Sequence, residues 1–223
     1  MTRTKIFGFL TLICLVLALS LVNDLPRYLK YKNGDIQDFE TVAAGELKHG
    51  DLVQGTIDFS DGCIAENEET KSTFGIETSK RTTSQYYAVY MYNEQYILYE
   101  TSNKAQYSIL DKLGNECEAY YESLNAILDE DGNVVGDASQ IVQPTTTLPF
   151  TAVVKDTPSD LHGIFREWYG EGFDQDCETV MMTYLDFSVL PRKVLIGGGA
   201  AVLGIIFLVI TIISWRKSKQ FSF

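Results

Sequence analysis

Ser84–Thr101 reads SQYYAVYMYNEQYILYET, and its reading decides the fold class. Along an extended chain successive side chains alternate sides, so Tyr86, Ala88, Tyr90 and Tyr92 share one face and Tyr87, Val89 and Met91 the other. Asn93-Glu94-Gln95 then turns the chain and Tyr96–Thr101 returns, which is the pattern of a β-hairpin. Tyrosine is favoured in strands, and it also offers a flat apolar body with a polar tip. The face carrying Tyr86, Tyr90 and Tyr92, with Tyr96 just past the turn, is therefore the candidate ligand-binding surface, suited to sugars or peptides. Its alternative is a purely structural face covered by a helix.

Upstream of the hairpin, Leu52–Phe59 alternates Val53, Ile57 and Phe59 with polar residues. Gly55 sits in that strand where a bulge or a close backbone approach is expected. Ser60-Asp61-Gly62 closes the strand and Cys63-Ile64-Ala65 resumes one, while Asn67–Arg81 is polar and reads as a loop or the tip of a long hairpin. Downstream, Ala105, Ile109, Lys112 and Leu113 recur at helical spacing after a cap at Ser102 or Asn103. Gly114-Asn115 is expected to interrupt this helix before a second runs from Glu116 to Leu128. A turn and strand are expected over Asn133–Pro144, and Leu148–Lys155 alternates as a strand. Thr157-Pro158-Ser159-Asp160 opens a helix to about Tyr169, and Thr179–Val189 alternates as a last strand. Strands and helices mixed in this order indicate an α+β domain with an antiparallel hairpin core and several short helices, without βαβ repeats.

Two apolar runs bracket that domain. Ile6–Val22 and Val194–Trp215 carry no charge, and as helices they would cover about 25 Å and about 33 Å. The expected organisation is a transmembrane helix over residues 1–22, a juxtamembrane connector over 23–46, the folded domain over 47–191, and a second transmembrane helix with a basic tail over 192–223. Pro26 and Asn33-Gly34 argue against a continuous helix in the connector. The first run is read as uncleaved, with Tyr28 and Tyr31 as interfacial anchors. The alternative is a signal peptide cut after Ser20, where Ala18 and Ser20 have the small-residue spacing. Lys and Arg near the membrane ends divide evenly, Arg3, Lys5, Arg216, Lys217 and Lys219 against Arg27, Lys30, Lys32, Arg192 and Lys193. The amino terminus and the signal-like layout favour both termini in the cytoplasm and the domain outside. In the second run, Gly197/Ala201 and Ala200/Gly204 make small-xxx-small pairs that let helices approach closely, within one chain or between copies in a homo-oligomer.

All 30 acidic residues lie between Asn23 and Pro191. That surface repels nucleic acid and anionic lipid, which need positive charge to bind; it suits cationic partners or divalent metal ions, and its alternative is a role in solubility and colloidal repulsion alone. No nucleophile elbow, P-loop or dinucleotide fingerprint is present, and His49 and His162 are the only histidines. A hydrolase triad is therefore not indicated, nor any catalytic set or cofactor. Cys63, Cys117 and Cys177 allow at most one internal disulfide and otherwise read as small buried hydrophobes. Without a CxxC or a histidine cluster, no metal site is indicated. Asp129-Glu130-Asp131-Gly132-Asn133 begins like a calcium loop, but Val134 and Gln140 stand where the glycine and the bidentate glutamate belong, so it reads as an acidic turn.

Leu47-Lys48-His49-Gly50-Asp51-Leu52-Val53-Gln54-Gly55-Thr56, the stretch Arg81–Tyr87, Leu110-Asp111-Lys112-Leu113 and Val180–Phe187 together resemble uncharacterised two-pass membrane proteins of Firmicutes. That resemblance implies a two-pass bacterial membrane protein and no activity or residue role. The function expected is a non-enzymatic extracytoplasmic module that binds a protein or envelope ligand or scaffolds a membrane complex. The alternatives are a membrane-bound enzyme with a carboxylate-based site and a cytoplasm-facing regulatory adaptor.

Overall fold

The structure, a computed structural model of the chain, describes residues 3–73, 76–129 and 132–220. It resolves into two compact units: Ile36–Leu185, and the two terminal segments Met1–Asp35 and Asp186–Phe223 together.

The first unit is α+β. Seven strands form one mixed sheet: β1 (Gln37–Asp38), β2 (Leu52–Ile57), β3 (Ser60–Thr73), β4 (Ile76–Tyr90), β5 (Tyr96–Thr101), β6 (Leu148–Asp156) and β7 (Cys177–Tyr184). Their spatial order is β1-β2-β6-β7-β5-β4-β3. The β1/β2 and β5/β7 pairs are parallel and the other four antiparallel. The hairpin expected from the sequence is β4/β5, in register from Tyr90↔Tyr96 to Gln85↔Thr101. Its two faces bury two different cores. Tyr87, Val89 and Met91 join Ile97, Tyr99, Phe150 and Met182 under Leu110, Leu113 and Cys117 of a helix over Lys104–Asn125. Tyr86, Ala88 and Leu98 face the opposite way, onto Phe165 and Phe173. These come from helices Ser159–Tyr169 and Phe173–Asp176.

Three local expectations are corrected and two open alternatives are decided. Gly114 does not interrupt the helix, which runs unbroken over 22 residues from an Asn103 side-chain cap. A glycine costs a helix interior only about 1 kcal/mol, and this one lets the helix settle on the β3 backbone. A Cβ there would meet Gly62 Cα at 3.1 Å. The polar stretch from Asn67 to Arg81 is the outer part of a long hairpin, the second of its two readings, because β3 and β4 stay paired from Asn67↔Ser84 to Thr73↔Ile76. Threonine-rich strands pair through their backbones without an apolar stripe to announce them. The ladder is irregular, with register shifts at four points, and β3 forms an outer edge of the sheet. No strand forms over Asn133–Pro144 beyond a single bridge from Leu128 to Val134. The last strand stops at Tyr184, five residues early. Gly55 permits a close approach rather than a bulge: a Cβ there would stand 2.6 Å from Phe39 Cβ, and Phe39 is fully buried.

The second unit pairs a helix over Arg3–Asn33 with one over Leu190–Gln220. Phe7 meets Phe207 with ring centroids 6.0 Å apart, and Tyr31 meets Phe187 at 5.7 Å, so the helices run antiparallel. Thr11 and Cys14 are buried on the first helix. Gly197, Ala200 and Gly204 are buried on the second, with Ala201 half-buried. A Cβ on Gly204 would meet Cys14 Cβ at 3.2 Å, so small residues face one another within the chain.

Among the described residues one helix, Phe187–Arg216, is long and apolar enough by itself to cross a membrane, where two were expected. The N-terminal helix reaches that length and apolarity only if Lys5–Leu19 and Asp24–Asn33, bent 43° to each other, count as one span. Pro26 is carried inside this helix. It lies in the first turn of the second half, where a missing N–H breaks no helical bond.

Candidate functional site

The segment linking β2 to β3 and the middle of the 104–125 helix meet at the β3 edge of the sheet. Phe59 stands at their junction. Its ring lies 5.8 Å from Tyr120 and 5.5 Å from Tyr121, nearly perpendicular to both, and 6.0 Å from Tyr90. A concavity opens on either side of this aromatic ridge.

The larger is a cleft of about 750 Å³ lined by Ser60–Cys63, by Asp111, Gly114, Cys117, Glu118, Tyr121 and Glu122 of the helix, and by Trp168. Asp61 is the group at its wall whose chemistry is most altered. Tyr169 donates a hydrogen bond to Asp61 Oδ2 at 2.6 Å. Asp61 Oδ1 is buried with no hydrogen-bond partner. Burial raises the Asp61 carboxyl above the ordinary range, against the opposing pull of the Tyr169 and Tyr96 hydroxyls. Tyr96 in turn shares a 3.0 Å hydrogen bond with Tyr121 and packs its ring 4.7 Å from Tyr169. Burial and the neighbouring carboxylate hold the Tyr169 phenol strongly protonated, so it acts here as a donor. Asp111, Glu118 and Glu122 add further carboxylates to the lining, which among the described residues includes no lysine or arginine.

The smaller concavity, about 310 Å³, is lined by Asp58, Phe59, Tyr90, Tyr92, Tyr120, Gln143 and Pro144. Tyr92, half exposed, donates to Asp58 Oδ2. Its far wall is anchored through Glu116, whose carboxylate accepts the backbone N–H groups of Thr145 and Thr146, each at 2.8 Å. Those bonds draw the Glu116 carboxyl down to about 2. Ser123 Oγ accepts from the Val142 N–H nearby.

The four tyrosines singled out in the sequence do not form one open face. Tyr86 is buried and donates to Glu100. Tyr96 belongs to the Asp61 network. Tyr90 and Tyr92 line the smaller concavity. The divergence arises at Met91, where β4 has ended, so that Tyr92 leaves the Tyr86 side and sets its ring edge-on to Phe39. Asp61, Tyr121 and Trp168 were not singled out, and one sequence holds no sign that an Asp at the start of β3 would be buried and take a hydrogen bond from a tyrosine of a distant helix.

The remaining candidates for chemistry are scattered. All four cysteines are free. Burial raises Cys63, Cys117 and Cys177, the last to about 12, which disfavours a thiolate nucleophile. His49 pairs with Asp156, and His162 sets its ring edge-on to Phe173. Asp129 accepts from the Asn133 N–H in the acidic turn, whose residues 130 and 131 lie outside the described set. No protein-family model matches the chain and no curated protein matches it, so its functional reading rests on its own geometry.

Proposed function

We propose that the protein is a non-enzymatic, membrane-anchored module that binds a cationic ligand in the cleft beside Asp61. The observation that carries this reading is the state of Asp61, a carboxylate desolvated on one oxygen and hydrogen-bonded on the other. An ammonium or guanidinium seated in the cleft offsets the uncompensated charge of this carboxylate, and the carboxylates around it attract such a ligand from solution. Trp168, half exposed at the rim, offers an aromatic face to the same charge. The ligand belongs to a protein or an envelope component, and the module scaffolds it at the membrane.

The Leu190–Gln220 helix supports membrane association. In this proposal the N-terminal helix is a second pass, both termini are cytoplasmic and the domain is extracytoplasmic. The antiparallel pairing of the two helices favours a hairpin crossing, as does the resemblance to two-pass proteins of Firmicutes. The raised carboxyl also favours a second reading, in which Asp61 is a general acid in a membrane-bound enzyme. A cytoplasm-facing adaptor remains the alternative on topology.

Spermidine is the probe. In a Trp215→Phe background the fluorescence of the full chain in dodecyl maltoside reports Trp168 alone. The expected result is a saturable change that tightens as pH rises, since a proton on Asp61 competes with the cation. Asp61→Asn should weaken it at least tenfold. Non-saturable binding, or binding indifferent to Asp61→Asn, would overturn the proposal. Topology is read separately with Val135→Cys, an exposed position, in a chain whose native cysteines are alanine. Labelling of intact cells by an impermeant maleimide is expected. Labelling only after lysis would place the domain in the cytoplasm.

A further inference from the structure

The smaller concavity has a chemistry unlike that of the Asp61 cleft. Among the described residues, four of its seven lining residues are aromatic, one is a carboxylate, and none is a lysine or arginine. Phe59 stands at 67° to Tyr90 and at 90° to Tyr120, so these rings bound a box instead of stacking on one another. Tyr92 is held against Asp58 by its hydroxyl and stays half exposed. The Pro144 wall is tied back through the Glu116 clamp on Thr145 and Thr146, so the box is built by four separate stretches of chain that hold one another in place.

We infer that this box binds the head of a small quaternary ammonium compound of the choline type. Ring faces attract a cation through their quadrupoles, and several rings around one charge are the established means of holding a methylated ammonium. A primary ammonium needs acceptors for three N–H groups, whereas this site offers one carboxylate already engaged by Tyr92. A quaternary nitrogen has no N–H to satisfy. It asks only for aromatic walls and a negative charge nearby, and both are present. A sugar would need several directed hydrogen bonds, and Gln143 is the one amide in the lining. The volume of about 310 Å³ sits at the small end for ligand sites, matching a compact headgroup. The carboxylate and the absence of cations in the lining disfavour a ligand carrying its own anionic group, so the source inferred is a free choline-like cation and not a phosphatidylcholine headgroup.

The test is titration of the full chain in dodecyl maltoside with choline and with its neutral isostere 3,3-dimethylbutanol, followed by saturation-transfer NMR on the methyl signal. Choline should bind saturably and the isostere markedly less. Tyr120→Leu and Tyr92→Leu should each weaken choline about three- to tenfold, the loss of one cation–aromatic contact. Tyr92→Phe, which keeps the ring and frees Asp58, should bind at least as well as the unaltered protein. Thermal melts of each variant separate a lost site from a lost fold. Equal binding of the isostere would mean a hydrophobic pocket and overturn the inference. Equal binding of ethanolamine would reduce the site to non-specific acidity and do the same. Capture of phosphatidylcholine vesicles without binding of free choline would assign the box to a lipid surface and refute the source inferred. Asp61→Asn should leave choline binding intact, so this site and the cleft succeed or fail independently.

Discussion

Tyr169→Phe isolates the one hydrogen bond that reaches the desolvated carboxylate. The substitution keeps the ring between Tyr96 and Phe165 and removes only the hydroxyl that donates to Asp61 Oδ2 at 2.6 Å. A hydrogen bond to a charged group contributes about 1.5–3 kcal/mol, and partial solvent screening at this half-buried site places the value near the lower end, about 2 kcal/mol. For a unit of this size that corresponds to a melting temperature lowered by about 4–8 °C. The dependence on pH is the sharper test. A carboxyl whose folded pKa lies above its unfolded value makes the native state hold its proton more tightly. Stability therefore falls as pH rises from the ordinary value of 3.8 through the raised one. Removing the Tyr169 hydroxyl raises the folded value further and deepens that fall. The gap between the variant and the unaltered protein should widen with pH and level off once Asp61 is ionised in both. Below pH 4 only a neutral hydrogen bond is lost, about 1 kcal/mol. Urea unfolding of the full chain in detergent, repeated from pH 4 to pH 8, gives the comparison. A gap that is the same at every pH, or that narrows upward, would refute the account of Asp61. In an Asp61→Asn background most of the pH-dependent part should vanish.

Gly55→Ala should destabilise the sheet by about 1–3 kcal/mol, because the new methyl would sit 2.6 Å from Phe39 Cβ where about 3.5–4 Å is comfortable. Thermal melting checks it, and an unchanged midpoint would mean that the Phe39 segment yields freely. Glu116→Ala should release the 142–147 segment, seen as faster hydrogen exchange at the Thr145 and Thr146 amides with little change elsewhere. In the unaltered protein the same clamp should hold above the ordinary glutamate value of 4.5 and be lost as pH falls toward about 2. Exchange rates at those two amides, scaled for intrinsic chemistry, should rise across that window.

The hairpin was legible because Tyr, Val and Met alternate without interruption from Gln85 to Met91, and both faces turn out to bury cores. The Asn103 cap and the Gly55 approach were each legible as one of two local alternatives, Ser102 or Asn103 for the cap and a bulge or a close approach for the glycine, and the structure decides both. Gly114 was misread because its value lies in the Gly62 backbone, 52 positions earlier in the chain, and no window around residue 114 contains it. The β3–β4 ribbon was left open between a loop and a hairpin tip because periodicity detects burial, and beyond the sheet there is little to bury. The candidate site was the least legible part. Asp61, Tyr96, Tyr121 and Tyr169 come from four different elements, and only the folded sheet sets one phenol on another's carboxylate. Tyr90 and Tyr92 were found as residues but assigned to a flat face, since the end of β4 at Tyr90 depends on where its partner Tyr96 begins.

The irregular ladder of β3 bears on solubility. As the outermost strand, β3 presents a row of unpaired N–H and C=O groups, and such a row is a template on which another extended chain can add itself. Four register shifts along β3 break its repeat, and Glu66, Glu68 and Glu69 stand exposed beside them. A second copy approaching edge to edge would find neither a matching spacing nor a neutral surface. Straightening those kinks or neutralising those carboxylates would turn the same edge into a seed for fibrous association, with the rest of the domain still folded.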